Sequence, residues 1–292
     1  MSVEAWIEKN TASLRGKTVA VTGSTGGLGQ ALCRHLARLE ADLILLDRNP
    51  RRAEQADALL QMEYPEVRIR RIFVDMEELS SVRSAAEELR SLPVDVLILN
   101  AGAYSIPRHR CDTGLDNVFQ INFASPYYLV RELLPSLRQR GGKVVAVGSI
   151  AHNYSVTDPS DVDFSTRTAA SKVYGNAKRY LTAALFELFR EETQATVSVV
   201  HPGITFTNIT AHYPKVIFAL IKHPMKVIFM KPKKASLSIL RGVFDACGHS
   251  EWIGPWLFDV WGNPKKKPLR TIPAQECERI HANAEEIYRR MK

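Results

Sequence analysis

From Lys17 onward the chain alternates short, nearly continuous apolar runs with longer segments whose apolar residues recur at helical spacing. The runs at 18–22, 42–46, 67–74, 94–99, 143–147, 196–200 and 252–258 are rich in β-branched residues and predict strands. Because most lack an in–out alternation, they suit parallel strands covered on both faces. Between them, sets such as Leu28, Leu32, Leu36 and Leu39, or Val82, Ala86 and Leu89, mark one face of a helix. Strand–helix alternation of this kind predicts an α/β fold with a doubly wound parallel sheet, a Rossmann fold. With no linker, repeat or low-complexity tract, 1–292 is expected to be a single domain. Three segments sit outside the rhythm: an amphipathic arm at 1–16, a lysine-interrupted apolar stretch at 205–234, and a tail at 263–292. The tail begins with a basic turn and continues as a helix with Cys277, Ile280, Ala284 and Ile287 on one face.

Composition adds bounds. At 45% hydrophobic and 24% charged residues, the 292-residue chain can bury a sizeable core, which excludes disordered and fibrous classes. No apolar run is long enough for a membrane span, and the start lacks the apolar stretch of a secretory signal. The four scattered cysteines predict reduced thiols and a cytoplasmic protein, with neither a disulfide framework nor a metal site. The net charge of +8 is concentrated at 201–292, which holds 15 Lys/Arg against 7 Asp/Glu. A solvated lysine-rich face explains this most simply. A basic interaction module is the rival, but no nucleic-acid motif accompanies Pro264-Lys265-Lys266-Lys267.

Chemistry enters after the first strand, at Gly23-Ser24-Thr25-Gly26-Gly27-Leu28-Gly29, which opens straight into a helix. Glycines there let the backbone turn tightly and bring a pyrophosphate to the positive helix N-terminus. Asp47 ends the second strand, 18 residues after Gly29, where an acid can accept from ribose hydroxyls. Together these features predict a dinucleotide site. Tyr174 and Lys178, four apart, share one face of a helix after the fifth strand. A neighbouring ammonium would favour ionisation of the phenol. The adjacent Ser171-Lys172 is a decoy, because Thr168 stands four residues before Lys172.

The spacing of the glycine loop resembles the short-chain dehydrogenase/reductase family. The resemblance continues through Asp75, Asn100-Ala101-Gly102 and His201-Pro202-Gly203-Ile204-Thr205-Phe206-Thr207, and covers roughly 17–260. It implies Tyr174 as general acid or base, Lys178 beside it, Ser149 as hydrogen-bond donor to the reacting oxygen, and Asn122 leading through a water to Lys178. Ser149 ends the fifth strand but lies 25 residues before Tyr174, a long interval. Ser160 and Ser155 are therefore weaker candidates. The long interval, with Ser149-Ile150-Ala151-His152, is similar to the retinol dehydrogenase branch. The resemblance also implies a cofactor site made of the glycine loop, Asp47, Arg48, Asp75, Met76, Asn100, Ala101, Gly102, Tyr174, Lys178, Pro202, Gly203, Ile204, Thr205 and Thr207.

The expected activity is NAD(P)-dependent interconversion of a secondary alcohol and a ketone. The expected cofactor is NAD(H), with NADP(H) possible, because Asp47 can accept from both ribose hydroxyls and would repel a 2′-phosphate, a penalty Arg48 offsets only in part. Placed where the family has its substrate lid, the apolar side chains of 205–234, Phe218 and Phe229 among them, suit a bulky lipophilic substrate. The arm and the Leu-Asp-Arg strand end resemble bacterial 20β-hydroxysteroid dehydrogenases, implying a steroid, with a retinoid as the alternative. A homodimer or homotetramer is implied, with no nucleic-acid partner. A non-catalytic dinucleotide sensor is the rival class, but such a protein need not keep both Tyr174 and Lys178.

Overall fold

The computed structural model describes residues 1–205, 230–269 and 272–292. An eight-stranded sheet runs in the order β3-β2-β1-β4-β5-β6-β7-β8. Its strands are β1 (Thr18–Thr22), β2 (Asp42–Asp47), β3 (Ile69–Phe73), β4 (Val96–Leu99), β5 (Lys143–Val147), β6 (Thr196–Val200), β7 (Glu251–Leu257) and β8 (Trp261–Pro268). The first seven are parallel and β8 is antiparallel to β7. Apolar clusters cover both faces of the sheet, one built around Phe119, Phe123, Tyr127 and Tyr180, the other around Val19, Leu32, Leu36 and Leu43. That two-sided burial is why the strands read as continuous apolar runs. The order reverses between β1 and β4, and such a switch point opens a crevice at the carboxyl ends of the strands.

The helices are α1 (Val3–Asn10), α2 (Gly27–Arg38), α3 (Pro50–Glu63), α4 (Leu79–Arg90), α5 (Asn117–Phe119), α6 (Ser125–Gln139), α7 (Ala170–Leu188), α8 (Pro232–Phe244) and α9 (Ala274–Met291). The expected arm is helix α1, capped by Ser2 and anchored by buried Trp6 and Ile7. A π-helical turn, Gln120–Ala124, joins α5 to α6. The expected basic turn at the start of the tail is strand β8 instead. Pro and Lys in Trp261–Pro268 suggest a turn, but an edge strand tolerates both, because one side of it makes no ladder bonds. Most of 205–234, including Phe218 and Phe229, lies outside the described residues. Among the described residues no helix is long and apolar enough to cross a membrane.

Candidate active site

The crevice at the switch point is a cleft of about 910 Å³, lined at one end by the glycine loop and at the other by Ser149, Tyr174 and Lys178. The loop is shaped by close approaches. Gly23 has φ +70°, and a Cβ on Gly29 would meet the Gly23 carbonyl oxygen at 2.2 Å. Gly26 and Gly27 face space, with no atom nearer than 3.6 Å to a Cβ built on either. Gly26 caps α2 without a side-chain bond, and the first turn carries no acid. The N–H groups of that turn are therefore left to a ligand, and their charge suits a pyrophosphate. Asn100 ties the strand ends together, donating through Nδ2 to the carbonyls of Thr22 and Gly23 at 3.0 Å each. Asp75, Met76, Ala101 and Gly102 line the middle of the cleft, and Pro202, Gly203, Ile204 and Thr205 line its far wall. Thr207 lies outside the described residues.

Asp47 departs from expectation. It lines the cleft, but its side chain is only 2% exposed. Oδ1 accepts from the Thr25 amide and hydroxyl, both at 2.9 Å, while Oδ2 accepts from the Ser24 hydroxyl and the Arg71 guanidinium. The acid braces the glycine loop and leaves no acceptor for ribose hydroxyls. The cleft rim beside it carries cations, Arg48 and Arg52. Arg48 is largely exposed, with Glu77 at 3.3 Å and Asp75 at 3.7 Å.

At the opposite end, β5 delivers Ser149, which opens a 3₁₀ turn (Ile150–Tyr154) and accepts from the Ala151 amide at 3.2 Å. Helix α7 carries Tyr174 and Lys178. Gly175 brings this helix against the turn, since a Cβ there would sit 2.4 Å from the Ala151 carbonyl oxygen. The 25-residue interval thus closes in space, and the Ser149 hydroxyl lies near enough to the Tyr174 phenol to favour its ionised form. Ser155 donates to the Lys172 carbonyl and Ser160 to Asp158, so both are occupied elsewhere. The exposed Lys172 ammonium reaches the Tyr154 carbonyl.

Burial pushes the Tyr174 phenol up to about 12, against a lowering by the Ser149 hydrogen bond. A depression of the phenol by Lys178 is not what the structure contains. The Lys178 ammonium is 5.7 Å from the centre of the tyrosine ring and donates to the Val147 carbonyl at 2.8 Å. Burial holds Lys178 itself down at about 8. Asn122 sits in the π turn, donating to the carbonyls of Ala103 and Val118 at 2.8 Å. Its Oδ1 and the Lys178 ammonium converge beside Gly102, where a Cβ would lie 2.8 Å and 3.6 Å from them. His201 is buried flat against Trp252, and burial pushes its imidazole down to about 3. It is neutral at ordinary pH.

Sequence reasoning missed Arg71, which braces Asp47, and the apolar wall of Tyr104, Ile106 and Tyr154 around the phenol. An arginine in a strand beside a helix-covered face was an available signal for the first. The wall comes from loops, whose placement no periodicity reports.

The sequence model of the short chain dehydrogenase family matches residues 17–216. Human retinol dehydrogenase 14 is 33% identical over 219 residues, covering 68% of this chain and 65% of its own length. Mouse polyprenol dehydrogenase is 27% identical over 278 residues, covering 90% of this chain and 81% of its own. The chain spans just under two thirds of the length of several of the curated relatives it matches. Among solved structures, an uncharacterised protein from Mycobacterium paratuberculosis shares the fold with a TM-score of 0.75, at 24% identity over 95% of each chain.

Proposed function

The chain belongs to the short-chain dehydrogenase/reductase family of NAD(P)-dependent alcohol/ketone oxidoreductases, and from that premise we propose that it interconverts an alcohol and a carbonyl on a bulky, weakly polar substrate. The observation that carries the reading is the Ser149–Tyr174 pair, sharing one cleft with an uncapped glycine-loop helix. When bound, a nicotinamide dinucleotide supplies or accepts the hydride. The glycine loop and first turn of α2 would hold its pyrophosphate, with Asp75 and Met76 toward one end and Pro202 to Thr205 toward the other.

Tyr174 is the proton donor or acceptor at the substrate oxygen. Held at about 12, the phenol is protonated at neutral pH, the form that donates to a carbonyl oxygen. Ser149 donates to the same oxygen as charge grows on it. Lys178 and Asn122, converging beside Gly102, carry protons between the phenol and solvent.

Tyr104, Ile106, Ile150 and Tyr154 give the reacting end an apolar wall, which supports a lipophilic substrate. The relatives named for retinol and polyprenol point the same way. A steroid ketone is one member of this class and a retinoid another. For the cofactor, the case for NAD(H) relied on a free Asp47. With that carboxylate engaged and Arg48 and Arg52 on the rim, the preference is read as NADP(H). Assays of steroid, retinoid and isoprenoid carbonyls with NADPH and NADH, in wild type and Tyr174→Phe, test the reading. Turnover that survives loss of the phenol oxygen would refute it.

A further inference from the structure

The sequence places an acid at the end of β2, where an exposed carboxylate would repel a phosphate. Here the acid is disarmed. An ionised carboxylate offers about four acceptor positions. The Asp47 oxygens meet four donors: the Ser24 hydroxyl, the Thr25 amide, the Thr25 hydroxyl and the Arg71 guanidinium. Arg71 supplies the only cation among them. It stands on β3, in register with Leu45 of the neighbouring strand, with its side chain 12% exposed. The same guanidinium donates to Ser24 Oγ at 3.0 Å, and its Nε donates to Asp57 Oδ2 on α3 at 3.3 Å. The fork thus spans strand, loop and helix.

We propose that Arg71 is a specificity-determining residue that acts through Asp47. By pairing with this carboxylate and holding it under the glycine loop, it weakens the charge that would exclude a 2′-phosphate and denies the ribose hydroxyls their acceptor. Arg48 and Arg52 are then the cations that a ligand meets at the rim, with Asp75 and Glu77 beside Arg48. The inference rests on the reading of the cleft as a dinucleotide site, and it concerns the direction in which Arg71 biases the choice between cofactors.

The readout is the ratio of the dissociation constants for NADP⁺ and NAD⁺, measured by quenching of intrinsic tryptophan fluorescence, with the ratio of kcat/KM as a second measure. Asp47→Asn is nearly isosteric and leaves Arg71 in place. Its ratio should stay within about threefold of wild type, because Arg71 and three further donors already hold most of the field it removes. A shift of tenfold or more toward NADP⁺ would mean that Asp47 was acting on the phosphate, and would overturn the proposal. In the double variant Arg71→Met/Asp57→Asn, which does not leave Asp57 as an unpaired acid, Asp47 regains its field. NADP⁺ binding should then weaken relative to NAD⁺ by about tenfold or more, equivalent to 1.4 kcal/mol. Arg71→Lys, which keeps the charge, should hold most of the wild-type ratio. Equal weakening for both cofactors in the double variant would reduce Arg71 to a structural brace and sink the idea. Should the double variant fail to fold, Asp47→Asn decides alone. A wild type that binds NAD⁺ more tightly would overturn the NADP(H) reading, while the change of ratio on substitution would still report on Arg71.

Discussion

Tyr174 and Lys178 are displaced from their ordinary titration in opposite senses by one cause, burial, and each displacement has a measurable consequence. Tyr174→Phe removes only the transferable proton. Turnover should fall by about 10²–10⁴-fold, while thermal stability and cofactor binding stay near wild type. Lys172→Ala, on an exposed side chain, should keep most of the activity. The reverse result would move the catalytic frame by six residues, more than one and a half helical turns. Lys178 binds its proton less readily folded, at about 8, than unfolded, at 10.5. The unfolded chain therefore holds more protons between these values, and stability rises with pH across that window. Below about 8 the buried ammonium costs roughly 3 kcal/mol, part of it offset by the bond to Val147. Lys178→Met should thus be inactive yet melt higher at pH 7, with its advantage shrinking from pH 8 toward 10.5. A lower Tm at pH 7 would contradict this. The Tyr–Lys pair was legible in the sequence because four residues of helix fix their common face. The state of Asp47 was not legible, since it depends on Arg71 across a strand pairing that no local pattern announces.

At the scale of elements, the catalytic helix is held from behind. Arg179, next to Lys178 on α7, forms a buried bidentate pair with Glu276 of α9, at 2.7 Å and 2.5 Å. Glu276 also accepts from Thr157, and Arg179 donates to the His152 carbonyl at 3.0 Å. His152 in turn contacts the Ser149 carbonyl. The C-terminal helix is therefore wired to the segment that presents the serine. Breaking a buried pair by removing one partner costs about 3–5 kcal/mol. Glu276→Ala should lose stability on that scale in urea melts, and Arg179→Met/Glu276→Leu should recover much of it. A loss below about 1 kcal/mol would show that the pair is a bystander. The strands at 18–22, 143–147 and 196–200 coincide with β1, β5 and β6 because buried parallel strands must be apolar throughout. Strand β8 and the π turn escaped notice for opposite reasons. The first uses residues that usually end strands, and the second is a one-residue widening within an otherwise ordinary helical pattern.

Over the whole molecule, the cleft joins a polar glycine-loop end to an apolar reacting end, and that asymmetry should appear in kinetics. Replacing Ile106 or Tyr154 by Ala should raise KM for a bulky ketone several-fold more than for a small one, because only the larger substrate covers the lost area. Equal effects on both would assign these side chains to packing. The basic final third reads differently once folded, since Lys233, Arg241, Lys266, Lys267 and Arg290 all have acidic partners. The last strand has a consequence of another kind. An open sheet edge offers unpaired amides and carbonyls that can template a neighbour's strand, the first event in ordered aggregation. Strand β8 closes the sheet with Pro264 and Pro268, which have no amide hydrogen to give, and with Lys265, Lys266 and Lys267 between them. A second molecule approaching this edge meets missing donors and the charge of Lys265. Concentrated stocks can therefore be held without fibrils seeding from that side, and a Lys265→Val/Lys266→Val variant would put that protection at risk.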